Sequence, residues 1–148
     1  MGKITERIRG TLQANKISRE LVWLDTLVAC LTPDNREVQK EEFAACAPRI
    51  HELLNILDPD LILAMGKPAI QTLTGMRDPI DELAGQFYKT TVPGRIEEYT
   101  IPVLATYHPA QFAFMPEASE FGREKLFEQH LRKALDIVMR IEEVRTNE

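Results

Sequence analysis

The sequence predicts an α/β domain in which helices cover both faces of a parallel sheet. Nearly continuous apolar runs at residues 21–29, 61–65 and 103–107 are typical of strands buried on both faces. Amphipathic helical patterns lie between and after these runs, and strands that alternate with helices generally form parallel sheets. With 148 residues the chain is long enough to bury one core, so residues 1–148 are predicted to form a single domain.

The composition excludes several classes of protein. No window approaches eighteen apolar residues and residues 1–6 lack an apolar signal region, so we expect no membrane association and a cytoplasmic location. Two cysteines do not make a disulfide scaffold. A net charge of −5 argues against a broad basic nucleic-acid surface, although it leaves room for a local one.

The first half of the chain predicts helix, strand and helix. Residues 4–15 show one apolar helical face, and residues 21–29 follow as the first strand. Asp34, with Glu37 three residues later, fits the N-cap of a second helix that ends before Asp58. Its apolar positions are Phe43, Cys46, Ala47, Ile50, Leu53, Leu54 and Leu57.

A strand and a short helix follow directly. Residues 61–65 form the second predicted strand, and residues 66–68 turn the chain into a helix over residues 69–73. The proline in this turn suits a first helical position, and Gly75 suits the C-cap.

The last third predicts a hairpin, a strand and a long helix. Residues 86–91 and 96–101 alternate as hairpin arms do, and residues 103–107 form the third buried strand. A helix over residues 123–145 closes the chain. Its apolar positions are Phe127, Leu131, Ala134, Val138 and Ile141.

Ligands of such sheets bind at the carboxyl ends of the strands, where loops 30–36, 66–68 and 108–115 would lie. His108 follows a strand directly, and its imidazole could donate a hydrogen bond to a developing anion. It also fits an ordinary loop residue before Pro109. Loop 66–68 could direct backbone N–H groups toward a phosphate, or it could simply be a close strand-to-helix turn.

Two further groups of residues admit more than one interpretation. Phe112, Phe114 and Met115 either cover the core or wedge into a nucleic-acid duplex. Cys30 and Cys46 are buried thiols, half of a metal site or a reactive pair. Two thiolates do not complete a tetrahedral zinc site or an iron–sulfur cluster, which generally takes four ligands.

The motifs together resemble the iron–sulfur type (family 4) uracil-DNA glycosylases. The similar segments are CLTPDNR at 30–36, CAP at 46–48, LILAMGKPA at 61–69 and PVLATYHPA at 102–110, in the family's order and with compatible spacing. The resemblance implies a three-layer sandwich with a short parallel sheet flanked by helices. It also implies base-excision repair, by hydrolysis of the N-glycosidic bond of uracil or a related deaminated base in DNA.

The resemblance also implies roles for individual residues. His108 matches the histidine that stabilises the departing base, and loop 111–115 matches the element that enters DNA. Cys30 and Cys46 match two of the four ligands of a structural [4Fe–4S] cluster. The residues implied in substrate binding are Thr26, Asp25, Gly66, Pro109 and Ala110. Those implied in DNA binding are Gln111, Phe112, Phe114 and Lys67.

The chain also departs from the family pattern. It lacks the N-terminal cysteine pair, the loop that positions water and one central strand. We therefore expect it to be inactive and poorly soluble or oligomeric by itself, unless the missing segment or another subunit supplies that strand. Thr26 replaces a pyrimidine-reading asparagine and cannot present the paired donor and acceptor of an amide. Ala110 and Phe114 replace a serine and an arginine.

Two alternative functions remain open at this point. The departures and the acidic balance favour a non-catalytic glycosylase-like module that binds DNA or a protein partner inside a larger assembly. The turn at Gly66 is also compatible with an α/β domain that binds a small nucleotide. The coding sequence upstream of Met1 would distinguish the enzyme from the module, because an in-frame cysteine pair and a glycine-rich acidic loop there would support the enzyme and their absence would support the module.

Overall fold

The computed structural model describes residues 2–14, 16–26, 39–110 and 117–148, and within them it confirms an α/β fold. The predicted helix near the N-terminus, the short helix after the second predicted strand and the long C-terminal helix are all present. The elements in chain order are α1 (Gly2–Ala14), a 3₁₀ turn (Arg19–Leu21), α2 (Lys40–Leu57), β1 (Ile62–Met65), α3 (Lys67–Thr74), α4 (Ile80–Leu83), β2 (Phe87–Val92), β3 (Tyr99–Thr106) and α5 (Glu117–Asn147).

The three described strands form one mixed sheet in the order β1-β3-β2. β1 runs parallel to β3, with Ile62 opposite Val103 and Met65 opposite Thr106. β2 and β3 form the predicted antiparallel hairpin. The second hairpin arm and the third predicted strand are, however, one continuous strand.

Pro102 explains why the sequence suggested two strands where the structure has one. Proline is rare inside central strands because it cannot donate to the ladder. Pro102 pairs with Lys89 of β2, whereas pairing with β1 begins only at Val103. At Pro102, β3 therefore has a described neighbour on one side only, and the missing N–H removes no bond to β1.

Helices cover both faces of the sheet, as predicted. Helices α1 and α5 contribute Ile8, Leu12, Phe127, Leu131 and Leu135 to a buried cluster that also contains Tyr107. On the other face, Ile70 of α3 and Leu83 of α4 pack against Ala64, Val103 and Ala105. Helix α2 covers the hairpin on this second face through Leu54, Val92 and Ile101.

The strand predicted over residues 21–29 is wrong in its described part, and residues 27–29 lie outside the described residues. Residues 19–21 form a 3₁₀ turn and residues 22–26 are irregular. Trp23 is 64% exposed, so the apolar run does not reflect burial on both faces. A strand needs a neighbour for its backbone N–H and C=O groups, and no described strand lies beside this segment.

An apolar cavity of about 830 Å³ lies between this irregular segment and β1. Its walls include side chains of α1, α2 and α5. The consecutive residues 61–65 all line it, which places an edge of β1, rather than one face, along the cavity. Among the described strands β1 pairs with β3 alone.

The ends of α2 and α3 have clear local causes. Helix α2 begins at Lys40, where Gln39 and Glu42 form a capping box in which the Gln39 N–H donates to Glu42 Oε2 at 2.7 Å. The N-cap predicted at Asp34 lies outside the described residues. Asp58 ends it in the left-handed conformation. Helix α3 has the predicted proline in its first turn and the predicted C-cap at Gly75.

None of the helices within the described ranges combines the length and apolarity that crossing a bilayer requires.

Candidate functional site

His108 lies where the carboxyl ends of β1 and β3 meet. The two strands are parallel, so the residues that follow them, Gly66 and Tyr107–His108, come to the same edge of the sheet. The Gly66 N–H donates to the Thr106 carbonyl at 2.9 Å and joins the two strand ends. The predicted proximity of loop 66–68 and His108 is therefore present in the structure.

Gly66 is required for this close approach. Its φ of 90° lies in the region that favours glycine. A Cβ atom added there would lie 3.0 Å from the Cβ of His108, tighter than ordinary van der Waals contact. The glycine thus lets the start of α3 pack directly against the histidine.

The imidazole of His108 has a defined tautomer. The Ala110 N–H donates to Nδ1 at 3.0 Å, so Nδ1 is an acceptor and the proton of the neutral ring is on Nε2. Burial lowers the pKa of His108 below its ordinary value of 6.5. At neutral pH the site therefore offers an uncharged ring whose Nε2–H is a hydrogen-bond donor.

The neighbours of His108 differ in exposure. Pro109 is fully buried and Ala110 is half-buried, so the chain is held firmly on the far side of the histidine. Lys67 is exposed at the first position of α3, next to Gly66. Gln111, Phe112 and Phe114 lie outside the described residues, and their predicted contact with DNA stays a prediction.

Asp25 and Thr26 form a separate polar group. The Asp25 carboxylate accepts hydrogen bonds from the Thr26 N–H at 2.7 Å and from the Arg49 and Trp23 side chains at 3.3 Å. Burial opposes ionisation of Asp25, but these hydrogen bonds outweigh it and lower the pKa of the carboxyl group. Arg49 also donates to the Thr26 carbonyl at 2.5 Å, which fixes the end of the irregular segment on α2.

The structure does not bring the two groups together around one cavity. Asp25 and Thr26 line the apolar cavity beside β1, whereas Gly66, Lys67 and His108 are not among its lining residues. The roles predicted for Asp25 and Thr26 in substrate binding thus have no shared pocket with His108 to support them, and they stay predictions.

The described residues do not supply a complete metal site. Cys46 is a half-buried free thiol on α2, and Cys30 lies outside the described residues. Within the described part of the chain, no three histidine, cysteine or acidic side chains are grouped so that they could hold a metal ion. The whole chain contains two cysteines, so it cannot provide four thiolates by itself.

Sequence reasoning missed a group of polar contacts behind His108. The Tyr107 hydroxyl donates to Asp81 Oδ1 at 2.8 Å, and Arg123 donates to Asp81 Oδ2 at 3.2 Å. His130 on α5 contacts Thr106 Oγ1 through Nδ1 at 2.8 Å. The only sequence signal was the position of Tyr107 beside His108, because Asp81 and Arg123 are distant in sequence.

Comparison with known proteins gives one consistent result. The family model for the uracil DNA glycosylase superfamily matches residues 2–136. A type-4 uracil-DNA glycosylase of Saccharolobus solfataricus is 28% identical over 136 residues, which cover 89% of this chain and 58% of the relative. A protein named type-4 uracil-DNA glycosylase from Pyrobaculum aerophilum is 33% identical over 98 residues, which cover 64% of this chain and 48% of that protein.

The Thermotoga maritima protein of the same name is 31% identical over 108 residues, which cover 67% of this chain and 48% of that protein. The chain thus spans about half the length of these curated relatives. The similarity reaches from α1 into α5, so it includes the strand ends that carry Gly66 and His108.

Proposed function

Because this chain belongs to the uracil-DNA glycosylase superfamily, we propose that it is the base-excising domain of a uracil-DNA glycosylase. The reaction would be hydrolysis of the N-glycosidic bond of uracil, or of a related deaminated base, in DNA. One observation carries the proposal. It is the neutral imidazole of His108, with its proton on Nε2, at the joined ends of two parallel strands.

The chemistry of excision suits this donor. Cleavage of the glycosidic bond leaves negative charge on the departing base and positive charge on the sugar. A hydrogen bond from Nε2–H to a base oxygen strengthens as that charge develops, so it stabilises the transition state more than the ground state. This stabilisation needs only a hydrogen bond and no proton transfer, so the neutral ring keeps its Nε2 proton.

DNA binding would require a nucleotide to leave the base stack. A base inside a duplex cannot reach a strand-end pocket, so the enzyme acts on flipped or single-stranded nucleotides. Lys67 supports this part of the proposal, since an exposed cation at a helix N-terminus suits a backbone phosphate. We further propose that Gln111, Phe112 and Phe114 contact DNA beside the flipped base.

The roles of Thr26 and the cysteines are proposals of finer detail. Thr26, preceded by Asp25, would contact the base, and Pro109 and Ala110 would shape the wall beside His108. Cys30 and Cys46 would be two ligands of an iron–sulfur cluster whose other ligands come from outside this chain. No step of base excision is assigned to that cluster.

Iron and acid-labile sulfide in anaerobically purified protein test the cluster proposal. We expect less than one cluster per chain, because four thiolates are needed and two are present. Cys46→Ser should remove the iron that is bound. Retention of iron by Cys46→Ser would exclude Cys46 as a ligand.

The proposed function is tested with a single-stranded oligonucleotide that contains one uracil. The ring ¹⁵N signals of His108 should shift on addition of this oligonucleotide, and an otherwise identical thymine oligonucleotide should shift them less. His51 provides a matched control, because it lies on α2, whose Leu54 packs against the hairpin residues Val92 and Ile101. Absence of a His108 shift would contradict the proposal.

Excision is measured in the same samples as formation of abasic sites. We expect little excision by this chain alone, since it spans about half the length of the curated relatives. Binding at His108 with no excision, even in a longer protein that contains this domain, would favour the non-catalytic module. Excision that His108→Ala abolishes and His51→Ala preserves would establish the enzyme.

A further inference from the structure

The end of β3 and the residue that follows it are anchored by two polar contacts with helices α5 and α4. Thr106 is fully buried and its Oγ1 lies 2.8 Å from His130 Nδ1 on α5. Tyr107 is 3% exposed and its hydroxyl donates to Asp81 Oδ1 on α4 at 2.8 Å. These are the two residues that immediately precede His108, so the strand is fixed up to the histidine.

Asp81 connects Tyr107 to α5. Its second carboxylate oxygen accepts from Arg123 at 3.2 Å, and the Arg123 guanidinium lies 5.4 Å from the centre of the Tyr107 ring. One arginine therefore contacts both the carboxylate and the ring that donates to it. The hydrogen bond from Tyr107, together with the charge of Arg123, lowers the pKa of Asp81.

The Tyr107 ring also has little room to move. The ring of His130 lies nearly parallel to it, with centroids 6.5 Å apart and an angle of 18° between the planes. His130 is held in turn against Gly85, where a Cβ atom would lie 2.8 Å from its Nε2. Ile8 and Phe127 belong to the buried cluster that surrounds Tyr107.

We propose that Asp81, Tyr107 and Arg123 form a positioning cluster that sets the direction in which the His108 side chain leaves β3. This inference rests on the proposed function of His108, since none of the three residues is expected to touch the base. Adjacent residues share one peptide unit, so a shift of the Tyr107 backbone moves the ring of His108. Small misplacements of a catalytic group lower reaction rates strongly.

The first test compares tyrosines at the two ends of β3, since Tyr99 begins the strand and Tyr107 directly follows it. Tyr107→Phe removes the hydroxyl bonded to Asp81 and keeps the ring. Tyr99→Phe is the matched control, because its hydroxyl donates to Asn55 at 3.2 Å at the opposite end of β3. The measurement is hydrogen exchange of the Ala110 amide, which donates to His108 Nδ1.

We expect Tyr107→Phe to raise exchange at Ala110 by about fivefold to tenfold, the usual effect of one lost hydrogen bond. The Ala105 amide, which donates to the Gln86 carbonyl at 3.1 Å, is the internal reference and should not change. Equal increases at Ala105 and Ala110 would indicate general destabilisation and overturn the proposal. No increase at Ala110, or the same increase in Tyr99→Phe, would also overturn it.

A second test examines whether the cluster acts as a unit. Asp81→Asn keeps an oxygen that can accept from Tyr107, so exchange at Ala110 should stay within about twofold of the unmodified protein. Asp81→Ala should raise exchange at Ala110 as much as Tyr107→Phe does. The double variant with both substitutions should show no further increase. Additive effects in the double variant would contradict a single unit.

The exchange measurements contain no DNA, so they are independent of whether the chain excises uracil. If the exchange at Ala110 does not change as expected, the positioning cluster is overturned and the role of His108 is unaffected. If the uracil oligonucleotide does not shift the His108 signals, the role of His108 is overturned and the exchange result is unaffected. If excision is measurable, Tyr107→Phe should lower kcat about tenfold and leave KM unchanged, because the cluster affects the position of His108 and not DNA binding.

Discussion

At His108, one backbone hydrogen bond and partial burial both favour the neutral form of the ring. Protonation of Nδ1 would place a proton against the Ala110 N–H, which now donates to that atom. Burial also disfavours the charged ring, and it lowers the pKa of His108. The histidine is therefore held as a neutral donor by its immediate surroundings, without any nearby carboxylate being required.

This arrangement predicts how His108 responds to pH. Its ring should titrate below 6.5 in the folded protein and return to about 6.5 in urea. As the pH falls through 6.5, the unfolded chain binds a proton that the folded chain resists, so folded-state stability decreases. Ring ¹⁵N shifts across pH 4–8 measure the titration. A folded-state pKa above 6.5 would contradict the account.

Gly66 gives a second prediction at this scale. Gly66→Ala should lower the free energy of unfolding by about 1–3 kcal/mol, because a Cβ atom meets His108 and the positive φ is strained. Gly10→Ala is the control, since Gly10 lies inside α1 with no atom near an added Cβ and should be neutral or stabilising. Urea denaturation of both variants measures the difference. Equal effects would mean that the contact with His108 is unimportant.

Among the elements, α3 could be predicted from sequence and the segment after the 3₁₀ turn could not. Pro68 and Gly75 determine the ends of α3 through their own backbone preferences, which are local. The apolar residues 21–24 have no such signals, so whether they form a strand depends on whether another strand lies beside them. Non-local pairing of this kind leaves no mark in a short stretch of sequence.

The residues of the candidate site also divide into those that local sequence predicts and those that it does not. His108 and Gly66 could be predicted because each follows an apolar strand directly, and strand ends meet at one edge of a sheet. Asp81 and Arg123 could not, because their contacts with Tyr107 depend on how α4 and α5 pack. Sequence patterns identify positions along elements, whereas packing between elements decides which side chains meet.

Helix α5 provides the prediction for this scale. Phe127→Ala should destabilise the fold by about 3–5 kcal/mol, because Phe127 is 1% exposed in the cluster that joins α5 to α1 and Tyr107. Its neighbour Leu126 is 40% exposed, so Leu126→Ala should cost far less. The midpoint of urea denaturation should separate the two variants clearly. Similar losses of stability in the two variants would mean that Phe127 is not part of the core.

For the whole molecule, the apolar cavity beside β1 dominates the expected behaviour in solution. An edge of β1 and the exposed side chains of Trp23 and Leu24 border a volume of about 830 Å³. Among the described strands this edge of β1 has no partner, and an unpaired edge next to apolar surface favours association between copies. The described elements therefore pack apolar cores on both faces of the sheet but leave its β1 edge uncovered.

This surface predicts self-association of the chain in isolation. Sedimentation velocity between about 5 and 200 µM should show oligomers that increase with concentration, and a hydrophobic dye should bind strongly to the folded protein. Trp23→Ser should reduce both effects, because it removes a large side chain that is 64% exposed. Phe87→Ser is the control, since Phe87 is 45% exposed on β2 at the opposite edge of the sheet. A monomer at every concentration, with a single cooperative unfolding transition and no dye binding, would show that the cavity is closed in solution.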